Sequence, residues 1–285
     1  MARRVTERKK LFEQGDEILP PTTTCGLIGF AGGIVGGFLG GGGGVVTIPS
    51  LDHVTTLPRA RIHGTAALVN AVIAVVGTSV YSLHGGAVDW RTGVGLIIGG
   101  LVGAPLGARL AARLPERQLR LLFIIVLLLA GGKILFDAVS SSGQATSALL
   151  PIARTPYLIV IPIACLLGVV IGAWSSSLGL GGGLLAIPTL VLIFGINQHT
   201  AAGTSLLVMI PNTIVGSIAH LRQGTASPRL GSFMGIGALV GAALGSWIAF
   251  LLNDQVLQLI FGCFVLLMAI REGCTFYRRL RMLQA

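Results

Sequence analysis

Two glycine runs hold the residues of this chain best suited to bind an anion. Residues 37–51 read GFLGGGGGVVTIPSL, and residues 176–190 read SSLGLGGGLLAIPTL. Successive glycine N–H groups form a concavity that accepts negative charge, and a helix starting just after it adds a positive dipole end. Gly42, Gly43 and Gly44, with Gly181, Gly182 and Gly183, are therefore expected to bind substrate. Thr65, Thr204 and Ser205 open the segments that follow, where a hydroxyl either binds an oxyanion or caps a helix. Asn70 and Asn212 lie deeper in those segments and offer an amide to an oxygen acceptor or to a neighbouring helix. Pro49 and Pro188 are structural, fixing the exit from each glycine run or kinking it.

The remaining polar residues have plainer explanations. His63, His84 and His220 fall near segment ends and titrate near neutral pH when exposed. Lys133 and Asp137 are four apart on one segment and pair with each other. Arg271 and Glu272 lie near a membrane exit, where long side chains snorkel. Cys25, Cys165, Cys263 and Cys274 lack metal-site spacing and count as small apolar residues.

What positions these residues is set by composition. The chain has 285 residues, 53% of them hydrophobic and 11% charged, and a mean hydropathy of +0.86. Soluble domains carry about 25% charged residues. Runs such as LLFIIVLLLAGG are continuous and apolar, without two-residue alternation, so they read as membrane-spanning helices rather than barrel strands. The net charge of +10 gathers at the ends and in a few loops, as the positive-inside rule requires, and no aromatic and basic platform for nucleic acid is present. The first apolar segment begins near Cys25 and carries a motif repeated later, so it belongs to the mature fold rather than to a signal peptide.

The chain is duplicated. A shift of 139 residues lays Leu39, Gly40, Gly42, Gly43, Gly44, Ile48 and Pro49 on Leu178, Gly179, Gly181, Gly182, Gly183, Ile187 and Pro188. GTAALV at 64–69 meets GTSLLV at 203–208, and with one residue dropped LVGAPLGARLA at 101–111 meets LVGAALGSWIA at 239–249. Each half has four apolar segments, near 22–54, 62–83, 92–112 and 119–140, then 156–196, 200–221, 231–252 and 256–277. The organisation expected is a basic N-terminal segment at 1–21, membrane repeats at 22–140 and 156–277, a linker at 141–155 and a tail at 278–285. If all eight segments simply crossed, Arg59, Arg61 and the arginines at 109–120 would face outside. If the first of each half is broken or re-entrant at its glycine tip, nearly all the arginines fall on the cytoplasmic side. Three full spans per half then invert one repeat against the other, as in many secondary transporters. The fold expected is an all-α integral membrane protein of two inverted repeats, with both termini cytoplasmic.

A doubled Gly-Gly-Gly-x₄-Pro element, followed by Gly-Thr-Ala (64–66) or Gly-Thr-Ser (203–205) and a later Gly-Ala-x₂-Gly, resembles the TauE/SafE sulfite exporter family. This is the TSUP group of bacterial membrane permeases, and the likeness covers residues 22–277 in both halves. It implies secondary transport of sulfite, sulfonate, thiosulfate or sulfoacetate across the inner membrane. The second half has Thr204-Ser205 where the first has Thr65-Ala66, so a hydroxyl pair would exist in one half only. The residues also leave open an anion channel or a carrier of another small carboxylate or oxyanion. Carboxylates fall in termini, loops or segment ends, which disfavours a cation transporter. No HExxH or nucleophile–base motif occurs, so an enzyme is not expected. The partners expected are a small anion, the bilayer, a proton or sodium as coupling ion, and a second copy as candidate homodimer partner, with no nucleic acid and no cofactor.

Overall fold

Gly40 stops the first helix. It adopts a left-handed conformation (φ 70°, ψ 7°) that residues with a Cβ avoid, and Gly42 (φ 81°) does so again two residues later. In the computed structural model, which describes residues 20–84, 87–111, 116–140, 156–178 and 183–284, the apolar segments are all helical. Side chains are described outside 105–120, 174–182 and 277–285. The helices are α1 (Thr22–Leu39), α2 (Gly44–Val54), α3 (Arg59–Leu83), α4 (Trp90–Ala111) and α5 (Glu116–Ser140) in the first half. The second has α6 (Tyr157–Leu178), α7 (Gly183–Pro188), α8 (Gln198–Arg222), α9 (Pro228–Leu251) and α10 (Asp254–Gln284). No strand occurs among the described residues, and six of the helices are long and apolar enough to cross a membrane. The chain is an all-α integral membrane protein.

The halves are stitched together by glycines. On α1, Gly29, Gly33 and Gly37 lie against Met234, Ala238 and Ala242 of α9, so these helices run parallel. A Cβ at Gly29 would stand 1.9 Å from the Met234 carbonyl oxygen. The same seam recurs between α4 and α6, where Gly95, Gly99 and Gly103 meet Ala164, Cys165 and Val169. In lipid no hydrophobic force separates helix from solvent, so close backbone approach of this kind supplies the attraction. Each first helix is thus paired with the third apolar segment of the other half.

The direction of every helix follows from such contacts. Gly231 and Gly235 of α9 meet Leu68 and Val72 of α3, so α3 runs with α1 and α9. Gly77 of α3 packs on Leu206 of α8, while Gly203 packs on Tyr81, so these two helices with equivalent motifs run antiparallel. Gly131 on Leu266 and Gly262 on Leu135 make α5 and α10 antiparallel as well. The starts of α1, α3 and α9 therefore share one face with the ends of α2, α8 and α10. That face carries Arg59, Arg61, Arg222, Arg229 and Arg271 and is called the arginine face below. The opposite face carries Asp89, Arg91, His199 and Asp254.

The first glycine run makes a hairpin. Gly43 comes back against Gly32, and the Thr47 methyl against the same glycine, so α2 returns along α1 toward the arginine face. At 11 residues α2 is about 16 Å long, half the thickness of a bilayer core. Pro49 is accommodated inside α2 without changing its winding. Its counterpart Pro188 ends α7, and the chain continues as a π-helical turn over Thr189–Ile193. Proline has no N–H to return to the Leu184 carbonyl, and one residue on the Thr189 hydroxyl bonds the Leu185 carbonyl (2.8 Å). The two proline exits are equivalent in sequence and different in structure.

Candidate functional site

The first tip lies halfway along α3 and α8. Asn70, near the middle of α3, accepts the Gly43 N–H through Oδ1 at 2.9 Å. Gly42 abuts the Met209 side chain near the middle of α8. Gly42, Gly43 and Gly44 are all buried. Gly42 is left-handed and Gly43 right-handed (φ −83°, ψ −3°), the alternation that turns consecutive N–H groups to one side. Val46 and Thr47 donate to the Gly43 carbonyl at 3.0 and 2.9 Å, which begins α2. The N–H groups of Gly44 and Val45 precede those bonds and form the electropositive end of the helix.

The second tip meets the first. A Cβ on Gly183 would stand 2.6 Å from the Cα of Gly41, so the two glycine elements are in backbone contact. Leu184 is beside Gly41 as well. Gly181 and Gly182 lie outside the described residues.

Below this contact, toward the arginine face, is a cavity of about 130 Å³. Gly44, Val45, Ile48 and Pro49 of α2 form one wall, His63 of α3 another, and Leu184 of α7 its inner end. Phe123 of α5 and Met268, Arg271 and Glu272 of α10 complete it. It is a mostly apolar chamber that runs from the first residue of α2 to a guanidinium and an imidazole. Glu272 is engaged with a neighbour of its own. Arg271 and His63 were not singled out for this by sequence. Arg271 sits near the end of a long apolar run and reads as a snorkelling residue, and only the tertiary fold places it on a cavity that Gly44 also lines.

The threonines have other work. The Thr204 Oγ1 accepts the Asp89 N–H at 2.8 Å, and the Thr65 Oγ1 accepts the Ser227 N–H at 3.1 Å. Asp89 and Ser227 occupy equivalent places, immediately before α4 and α9, so each threonine ties down a loop of the other half. Both are fully buried. Ser205 is buried too, and its hydroxyl has no partner among the described residues. It lies between Ala202, which touches Gly40, and Met209, which touches Gly42, on the side of α8 that meets the first tip. Asn212 is directed elsewhere, with Nδ2 close to Gly100 of α4 and 3.4 Å from the Val208 carbonyl. The structure thus gathers Gly42, Gly43, Gly44, Asn70, Gly183 and Ser205 around the tips and leaves Thr65, Thr204 and Asn212 on helix seams.

Toward the opposite face the tip is closed by an aromatic stack. The Tyr81 hydroxyl donates to the Phe38 carbonyl at 3.3 Å, one turn before the glycines. Phe250 meets Tyr81 in a tilted ring contact (5.1 Å between centroids) and stacks on His199 (5.4 Å). His199 is held by Asp254, which accepts its backbone N–H at 3.1 Å and lies 3.0 Å from Nδ1. Asp137, four residues from its partner Lys133, is more deeply set than a segment-end residue: it is 6% exposed and its Oδ2 lacks a partner among the described residues.

Comparison with known proteins agrees with this architecture. The family model described as Sulfite exporter TauE/SafE matches residues 1–134 and 164–281. A protein of Xylella fastidiosa named "Probable membrane transporter protein" is 27% identical over 248 residues, covering 86% of this chain and 90% of that protein. YdhB of Bacillus subtilis, with the same descriptive name, is 26% identical over 239 residues, covering 81% of this chain and 92% of its own. YunE of the same organism is 30% identical over a shorter stretch of 115 residues, covering 38% of this chain and 42% of YunE. No solved structure matches. With both glycine elements, both threonine motifs and nearly the whole chain inside the match, this is a membrane transporter that belongs to the TauE/SafE family.

Proposed function

We propose that the protein is a secondary carrier of small organosulfur anions, of the sulfite, sulfonate, thiosulfate or sulfoacetate type, in a bacterial inner membrane. The observation that carries this reading is the cavity, which joins Arg271 and His63 at one end to the start of α2 at Gly44. An anion entering from the arginine face meets a guanidinium first and unpaired helix N–H groups last. Apolar walls of Val45, Ile48, Phe123 and Met268 between them strip water and strengthen both interactions. Positive-inside bias makes the arginine face cytoplasmic and puts both termini there. The antiparallel course of α3 and α8 supports inverted repeats. Contact of Gly41 with Gly183, and the Tyr81–Phe250–His199 stack beyond it, favours a carrier over an open channel.

Purified protein in liposomes provides the test. Sulfite, thiosulfate and sulfoacetate should each raise the melting temperature and exchange across the membrane saturably, with sulfate as comparison. Arg271→Gln should weaken binding by about 2 kcal/mol, the value of a hydrogen bond to a charged group. Potassium flux exceeding sulfite flux, or full affinity in Arg271→Gln, would sink the reading.

A further inference from the structure

His63 lines the same cavity as Arg271, half-buried, one residue before the Gly64-Thr65 pair. Of the side chains that line the cavity it alone has an ordinary pKa near neutrality. An ordinary guanidinium or carboxylate does not change its charge between about pH 5 and pH 8. The charge of the chamber is therefore set by whether His63 holds a proton.

We propose that His63 is the proton-binding residue that couples anion binding to pH, so that the coupling ion is a proton. The proposal rests on the anion reading above. The imidazole takes one proton from the surrounding solution, with hydronium or a buffer acid as donor, and becomes a cation beside the incoming anion. On release, the proton and the anion leave the site together. Linkage makes the effect mutual: a proton on His63 tightens anion binding, and the anion tightens the proton by the same factor.

The other charges around His63 do not substitute for it. Asp52 on α2, Arg59 on its own helix α3 and His220 on α8 are its electrostatic neighbours, with Arg271 and Glu272 on α10 across the cavity. His220 has its Nδ1 2.9 Å from the Thr225 hydroxyl and does not line the cavity. Against that background only His63 changes the field that an anion meets on entry.

The experiment measures thiosulfate and methanesulfonate binding calorimetrically to the intact protein in nanodiscs. The charge of both anions is constant between about pH 5 and pH 8, the window of histidine titration. Wild-type affinity should fall about tenfold from the acid to the alkaline end, within the usual range of coupling between sites. Repeating the titration in buffers of different ionisation enthalpy should show proton uptake on binding at the alkaline end. His63→Gln should bind equally across the range, and His63→Asn provides a second variant should that one fail to fold. Arg271→Gln should bind more weakly throughout and keep the slope, and His220→Gln should keep it too. A slope retained in His63→Gln, or wild-type binding without proton uptake, overturns the proposal. Absence of binding by the wild type at every pH overturns the anion reading instead.

Discussion

Thr204 and Ser205 are neighbours in sequence with opposite prospects. The Thr204 oxygen is committed to the Asp89 N–H, as Thr65 is to Ser227. Thr204→Ala and Thr65→Ala leave a buried N–H unmatched and should each cost about 1–3 kcal/mol of stability while anion affinity holds. Matched losses are expected because the two bonds are equivalent, and thermal unfolding in detergent measures them. Ser205 has a buried hydroxyl without a partner. Ser205→Ala removes an unsatisfied polar group, so it should raise the melting temperature and, if that hydroxyl serves the ligand, weaken anion binding by about 0.5–1.5 kcal/mol. A fall in stability for Ser205→Ala would mean that its hydroxyl is bonded after all. Gly43 illustrates a related point: any side chain there strikes the Gly32 carbonyl, with the Cβ 2.6 Å from its oxygen, so Gly43→Val unmakes the hairpin rather than probing a ligand.

Among the elements, the seams of α1 with α9 and α4 with α6 are the tightest packing in the molecule. Gly29→Ala and Gly99→Ala would each place a Cβ 1.9 Å from a carbonyl oxygen of the facing helix. Overpacking of this kind costs about 1–3 kcal/mol or more, so both variants should lose monodisperse protein in size-exclusion chromatography. Gly216 and Gly132 have nothing within 4 Å, and their alanine variants should be neutral or gain up to about 1 kcal/mol in helix propensity. Sequence shows the doubled glycine element, because five glycines before a proline have no place in an ordinary span. It also shows that the threonines recur. It does not show that Asn70 takes the Gly43 N–H, since that bond joins residues 27 apart and its counterpart in the second half is a methionine. Nor does it show that Arg271 and His63 share a cavity, because that depends on where the tertiary fold sets α10 relative to α2 and α3. Helix existence and duplication are local or periodic signals, whereas a site made by packing between halves is neither.

At the scale of the whole molecule, the arginine bias makes a prediction about sidedness. Ala60, in the first turn of α3, and Asn253, between α9 and α10, are exposed on opposite faces. With the native cysteines replaced, Asn253→Cys should react with an impermeant maleimide in intact cells, and Ala60→Cys only after permeabilisation. The reverse pattern would turn the molecule over and place the cavity outside. Equal labelling of both would mean that these two loops share a side and that the helix directions are wrong.

The pairing of α1 with α9 also has a cost in time. Roughly 190 residues separate the end of one from the start of the other. At about 5–20 residues per second, a ribosome needs on the order of 10–40 s to make them. For that interval α1 stands in the lipid with Gly29, Gly33 and Gly37 facing no partner, since the groove that receives them has yet to be synthesised. The nascent protein is therefore incomplete until its ninth helix arrives, and a chain truncated after the first half lacks the groove that these glycines fill.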